Sequence, residues 1–247
     1  MRYLTSLAIA IMVCIMVTPA HATLQVNIGG TVSGGTVTGG ALFTDNCTVV
    51  GPNCTSVDLL PGTTGSLSFV YSGLGTFTIS TLNATSHSPT AILSMTINGD
   101  VAADTTFTVA ITDTGFSIPA PPIMLAQDVH GTAAPANGAT GSITGTGYYG
   151  ASNTAFDTSG TQTGLASAPA LNGAFGTASS APILSGSPYS LTEFITVTLK
   201  KGTGLDQGVQ INANLDAIQV PEPASVLLLG GVLFLTAGSL RRRLRRV

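Results

Sequence analysis

Apolar side chains recur at every second residue in run after run of this chain, and that period leaves little choice of fold. Leu67, Phe69 and Tyr71 share one parity, and Phe77 with Ile79 repeat it after a Gly73–Gly75 turn. Ala91, Leu93, Met95 and Ile97 alternate next, then Phe107, Val109 and Ile111. Near the end come Ile195, Val197 and Leu199, followed by Val209, Ile211, Ala213 and Leu215. Successive side chains of a strand point to opposite faces, so each run describes a strand with one buried and one wet face. No stretch in this region carries the longer period of an amphipathic helix. The expected fold class is therefore all-β, an antiparallel β-sandwich-like domain in which two sheets bury their facing sides.

Local turn chemistry refines the expectation. Leu24 to Ile28 reads as a first strand. It leads into a short tandem repeat, Gly30–Gly34 and then Gly35–Gly39, whose Val/Thr alternation suits a strand edge with glycines at turns or bulges. Asn98-Gly99 is a strong hairpin signal, and Asp113-Thr114-Gly115 closes another strand. Lys200 to Gly208 is expected to join the last two strands as a hairpin loop. Residues 119–188 are less regular, broken by Pro119, Pro121 and Pro122 and then dominated by Ala, Gly, Ser and Thr. They predict irregular or short strands packed on the main sheet. Ser142 to Tyr149 is a candidate strand, and Phe156, Leu165, Leu171 and Phe175 are scattered anchors. The absence of Trp and the few aromatics argue against a thick core.

Both ends of the chain carry processing information. Arg2 precedes an apolar run from Leu4 to Val17, and Ala20-His21-Ala22 has the small-x-small pattern of a cleavage site. Residues 1–22 thus read as a secretory signal peptide, with Thr23 as the first mature residue. Residues 23–219 form the exported β-rich ectodomain. Two lysines and ten acids give that segment a net charge of −8, so it should repel phosphate backbones, and no nucleic-acid partner is expected.

Cys47 and Cys54 are the cysteines left after export, in a compartment that permits disulfides. Gly51-Pro52 between them favours a turn, and a bridge is preferred to a metal site because no histidine is near.

Residues 220–247 have three physical parts. Pro221-Glu222-Pro223 cannot continue a helix or a central strand and forms a stiff, extended tripeptide. An uncharged run to Leu240 follows, with a helix expected over about residues 224–240. Eighteen residues from Pro223 reach about 27 Å as a helix, near the thickness of a bilayer core. Arg241, Arg242, Arg243, Arg245 and Arg246 then form a basic stop in the tail 241–247, which should stay cytoplasmic.

This arrangement closely resembles the PEP-CTERM sorting signal of Gram-negative bacteria that produce exopolysaccharide. The matching residues are Pro221, Glu222 and Pro223, then Ala224-Ser225, the Leu/Gly-rich span with Gly230-Gly231, and the arginine cluster. The resemblance implies an exosortase-like membrane transpeptidase as partner, cleaving at or near the motif. It also implies transient residence in the inner membrane, release to the cell surface or outside, and association with exopolysaccharide. The tail is then a substrate, and the catalytic residues belong to another protein. A last strand running almost without linker into the motif fits the same family.

Within the ectodomain the search for chemistry yields little, and neither a catalytic residue, a cofactor nor a metal site is expected. His87 and His130 read as solvated loop residues. Glu193, the sole glutamate of residues 23–219, reads as an outward-facing strand residue without an acidic partner. Asp100, Asp104 and Asp113 read as solvated loop acids flanking one strand. Tyr148, Tyr149 and Tyr189 are the available residues for an exposed aromatic platform. The expectation is a non-enzymatic structural or interaction protein; a carbohydrate-binding or adhesive module and a secreted hydrolase remain open alternatives.

Overall fold

A computed structural model describes residues 24–219 apart from 34–35, 47–57, 60–64, 73, 75–76, 88–91, 102, 117–122, 134–139, 169–172, 184–187 and 201–207. The expected signal peptide, the Cys47–Cys54 bridge and the whole tail from Val220 lie outside the described residues. Among those described there is no helix. The strands are β1 (Gln25–Ile28), β2 (Thr31–Ser33), β3 (Thr36–Thr38), β4 (Ala41–Thr44), β5 (Ser66–Tyr71), β6 (Phe77–His87) and β7 (Ile92–Val101). They continue as β8 (Thr105–Phe116), β9 (Ile123–Ala133), β10 (Thr140–Gly150), β11 (Ala166–Ala168), β12 (Gly173–Ile183), β13 (Tyr189–Lys200) and β14 (Gly208–Gln219).

Two six-stranded antiparallel sheets face one another, in the orders β11-β10-β13-β8-β1-β4 and β12-β9-β14-β7-β6-β5, and β2 with β3 makes a small separate hairpin. The tandem glycine repeat is that hairpin. Inward side chains of both sheets merge into one apolar cluster. Val109, Ile111, Ile195, Val197 and Leu199 come from the first sheet, and Leu93, Met95, Ile97, Ile211 and Leu215 from the second. Burying each such aliphatic side chain contributes roughly 1.5–3 kcal/mol. Few aromatics therefore did not prevent a continuous core: medium-sized aliphatics fill it, with Phe43 stacked on Phe69 at 3.6 Å where β4 and β5 meet across the layers.

Three local expectations are corrected. The last two strands are no hairpin: β13 pairs with β10 and β8, whereas β14 pairs with β9 and β7 in the other sheet. A hydrophobic face satisfied by crossing the sandwich looks the same in sequence as one satisfied by folding back. Asn98-Gly99 lies inside β7 and not at its turn, opposite a register shift between Ile79 and Thr81 of β6. The pair marks a bulge, where an extra residue is absorbed on the partner strand. Residues 119–188 keep an irregular stretch over 151–165 and the short β11, but they also hold the 11-residue strands β9, β10 and β12, with β10 covering the expected strand Ser142 to Tyr149.

The inward positions of β10 explain why its sequence carries so weak an apolar alternation. They include Gly145 and Gly147, where a side chain would collide with the opposite sheet. A Cβ on Gly147 would stand 2.2 Å from Leu215 Cδ1, and one on Gly145 would stand 2.8 Å from Gln127 Nε2. Glycine here lets side chains of the facing sheet cross the full gap, and it carries no hydropathy signal.

Chain direction places both ends of the domain at one pole. β14 runs to Gln219, paired with Ile123 at the start of β9. β8 reaches the same pole at Phe116, and β1 starts beside it, with Gln25 opposite Thr112.

Candidate functional site

Parity along β13 sets up the most unusual group in the domain. Leu191, Glu193, Ile195, Val197 and Leu199 alternate on one side, so Glu193 points into the sandwich, where it is 0 % exposed. The expected outward orientation is thus overturned. Gln127, inward on β9, meets it from the other sheet, donating Nε2–H to Glu193 Oε1 at 3.0 Å. Thr163 donates its hydroxyl to Gln127 Oε1 at 3.2 Å and accepts Gly147 N–H at 2.9 Å. One chain of polar contacts therefore ties β9, β13, β10 and the segment after β10 together.

Burial is the main cause that pushes the Glu193 carboxyl up to about 8. The Gln127 bond opposes the shift, while the charges of Asp216 and Asp128 add to it. At neutral pH Glu193 is a neutral acid inside an apolar core, and this is the cheaper state for an unpaired carboxyl. A raised carboxyl resembles a general acid, but with no surface in contact with solvent Glu193 reaches no substrate in this conformation. Its acidic neighbours were invisible in sequence because they come from β9 and β14.

Behind this cluster, on the outer side of the second sheet, lies a shallow groove of about 300 Å³ lined by Ala126, Asp128, Ala178, Ser180, Asn214 and Asp216 among others. Burial, then the charge of Asp128, raises the Asp216 carboxyl above the usual range. His130 sits on β9, not in a loop, with Nδ1 2.7 Å from Asp128 Oδ2 and both side chains about half exposed. Polar cross-strand pairs continue over this face. Ser94 Oγ donates to Asn214 Oδ1 at 2.7 Å and Thr96 Oγ1 to Asn212 Oδ1 at 2.9 Å. Among the described residues no three His, Cys, Asp or Glu side chains are grouped so as to hold a metal ion.

The aromatic platform does not form. Tyr149 and Tyr189 are buried, packed on each other at 4.9 Å, with Phe116 at 5.7 Å from Tyr189. Tyr148 is half-buried on the outer side of the first sheet, edge-on to Phe194. The three loop acids are dispersed. Asp100 lies in β7 and Asp104 is exposed beside it, whereas Asp113 is buried in β8 with Oδ1 accepting Thr114 N–H. His87 is the last residue of β6. Of the scattered anchors, Phe156 is buried and Leu165 is 67 % exposed.

Two aspartates not singled out in sequence bracket the cysteine segment. Asp58 Oδ2 accepts Asn46 N–H at 3.3 Å and its Oδ1 accepts Ser68 N–H at 3.1 Å; Asp45 Oδ2 accepts Gly65 N–H at 2.7 Å. Burial raises the Asp45 carboxyl, and Asp58 adds to the effect.

Ala20, Ala22, Pro221, Glu222, Pro223 and the arginines from Arg241 to Arg246 lie outside the described residues. What the fold does fix is the approach to the motif. β14 is a central strand, and its last residue Gln219 stands two positions before Pro221.

Residues 219–243 match the family model described as the PEP-CTERM protein-sorting motif. A motif of that kind indicates an exported protein targeted by an exosortase. No curated protein matches the chain.

Proposed function

We propose that this chain is a non-enzymatic protein of the cell surface or extracellular matrix, released by an exosortase after its tail has resided transiently in the inner membrane, and acting there in contact with exopolysaccharide. The observation that carries the reading is the match at residues 219–243. Its physical parts agree with the handling: a stiff Pro221-Glu222-Pro223, an uncharged run of bilayer length, and five arginines to hold the end in the cytoplasm. The sealed position of Glu193, the sole glutamate of residues 23–219, favours a structural over a hydrolytic role.

A plain anchor and a sorting signal differ in one measurable respect. An anchor needs only apolar length and a basic stop, so changing Pro221, Glu222 and Pro223 together to alanine leaves its fate unaltered. A sorting signal needs the tripeptide to be read. The triple-alanine variant should therefore be exported and inserted, yet accumulate at full length in the membrane fraction, while the parent loses the segment from about Pro221 onward. Intact mass of both forms decides it, and equal trimming of the two rejects the reading.

The second reading is a carbohydrate-binding module. What favours it is the uncharged Ser, Thr and Asn pairing over the outer face of the β14 sheet, a surface suited to hydroxyl-rich ligands. A pull-down with the producer's own polysaccharide tests it: retention of the parent and loss with Asn212→Ala and Asn214→Ala support this reading, and no retention removes it.

A further inference from the structure

We propose that Thr163, Gln127 and Glu193 form a self-processing site: the Thr163 hydroxyl attacks the side-chain amide of Gln127, ammonia leaves, and an ester bond then ties β9 to the segment that follows β10. The reaction occurs once per molecule and takes no outside substrate, so it adds a covalent maturation step to the surface role.

All three side chains are buried. Thr163 is held from two directions by one residue: its own N–H donates to Gly147 O at 2.8 Å, and its Oγ1 accepts Gly147 N–H at 2.9 Å. The Thr163 hydroxyl in turn donates to Gln127 Oε1 at 3.2 Å. The carbonyl carbon of that amide is one C=O bond from Oε1, so Oγ1 stands no more than about 4.4 Å from it. A shift of about 1 Å brings the two atoms to attacking distance. Room for the amide comes from Gly145, where a Cβ would stand 2.8 Å from Gln127 Nε2.

An amide is a poor acyl donor because its nitrogen must take up a proton before it can leave. Glu193 stands at that nitrogen, with Oε1 3.0 Å from Nε2, and burial keeps its carboxyl protonated up to about 8. Its Oε2 has no partner among the described residues. As Oγ1 bonds to the carbonyl carbon, the hydroxyl proton passes to Gln127 Oε1, which already accepts its hydrogen bond. Glu193 then gives its proton to the nitrogen, the C–N bond breaks, and the carbonyl re-forms. The proton on Oε1 returns to the Glu193 carboxylate. One C–O bond replaces one C–N bond, ammonia is released, and the balance needs no oxidant or reductant.

Fixed positions supply what the amide lacks in reactivity, since well-oriented groups within one molecule react at effective concentrations of up to about 10⁵–10⁸ M. The closed core keeps water from competing for the carbonyl and shields the ester afterwards. Escape of ammonia into solvent makes the step one-way. Until it occurs Gln127 keeps its nitrogen and its bond to Glu193, so freshly folded chain carries the unmodified pair.

Intact mass of the exported protein, followed by digestion and tandem mass spectrometry, tests this. The parent should be lighter by one ammonia than the sequence between its mature ends, and should give a linked peptide pair joining Gln127 to Thr163. Thr163→Val should keep the full mass and yield no such pair, whereas Thr163→Ser, which retains a hydroxyl, should still form it. Glu193→Gln should acquire the link at least ten-fold more slowly after synthesis. A parent of full mass without the linked pair overturns the inference. So does an ammonia loss that persists in Thr163→Val, which would place it at another amide such as Asn98 before Gly99, and so does linkage in Glu193→Gln at the parental rate.

Discussion

Gln127 on one sheet donates a hydrogen bond to Glu193 on the other at 3.0 Å, and both are buried in the middle of the sandwich. The contact joins β9 to β13, strands that share no backbone pairing. A carboxyl kept neutral by this setting makes the stability of the domain depend on pH, and the direction follows from the shift.

Unfolded, Glu193 ionises near the ordinary value of 4.5; folded, it holds its proton up to about 8. Below 4.5 both states are protonated and the group has no effect. Between 4.5 and 8 the unfolded chain binds fewer protons, so stability falls as pH rises, and the full cost is present above 8. Unfolding free energies from urea titrations at pH 5 and pH 8.5 should differ by up to about 4 kcal/mol through this group. Glu193→Gln keeps the acceptor for Gln127 and removes the charge. It should match or fall slightly below the parent at pH 5 and exceed it at pH 8.5. Parallel pH profiles for the two proteins would show that Glu193 is not the source. Asp45, also raised and not coupled to Glu193, remains in both and cancels in the comparison.

Tyr189 is fully buried against Tyr149 and Phe116, and its hydroxyl has no hydrogen-bond partner among the described residues. Burial, with Tyr149 adding to it, drives the phenol well above its usual range, so the group stays neutral. Tyr189→Phe deletes a desolvated hydroxyl and leaves the ring packing. The melting temperature should stay level or rise, since an unsatisfied buried polar group costs about 1–3 kcal/mol. A clear fall would reveal a partner for the hydroxyl. Tyr189→Ala, which empties the site, should cost about 3–5 kcal/mol.

Gly147→Val places a side chain where Leu215 crosses from the facing sheet, with Cβ 2.2 Å from Cδ1. Leu215 is fully buried, so its side chain has to repack within the core. Overpacking of this kind costs about 1–3 kcal/mol. The same change in a Leu215→Ala background should cost less, and a double-mutant cycle in urea reads the coupling. Additive losses would mean that the two residues do not share the space.

The hydrogen bond from Asn46 to Asp58 holds together the chain on either side of Cys47 and Cys54. Peptide mapping of the exported protein without reductant should find the two cysteines linked to each other. Cys47→Ser should then lower stability by roughly 2 kcal/mol, the chain-entropy value for so short a loop, while leaving trimming of the tail intact. Two free thiols, or a link between molecules, would contradict the expectation.

The sequence by itself determined what is local. Period-two alternation in Leu93–Ile97 or Val209–Leu215 dictates strands, because each side chain's face follows from its own parity. Residues 219–243 likewise announce export and sorting through contiguous parts that need no partner to be recognised. The inward face of Glu193 was also written in its spacing from Ile195, but the polar character of the residue masked the parity. Tertiary structure alone decided which strands meet. β13 and β14 carry equally good hydrophobic faces and could have paired with each other, yet they separate into opposite sheets. β10 hid its inward face behind Gly145 and Gly147, residues chosen by what the other sheet sends across the gap. The pairing of Glu193 with Gln127 depends in the same way on strands distant in the chain. Alternation fixes a side chain's direction; only packing against a specific partner fixes what it meets there.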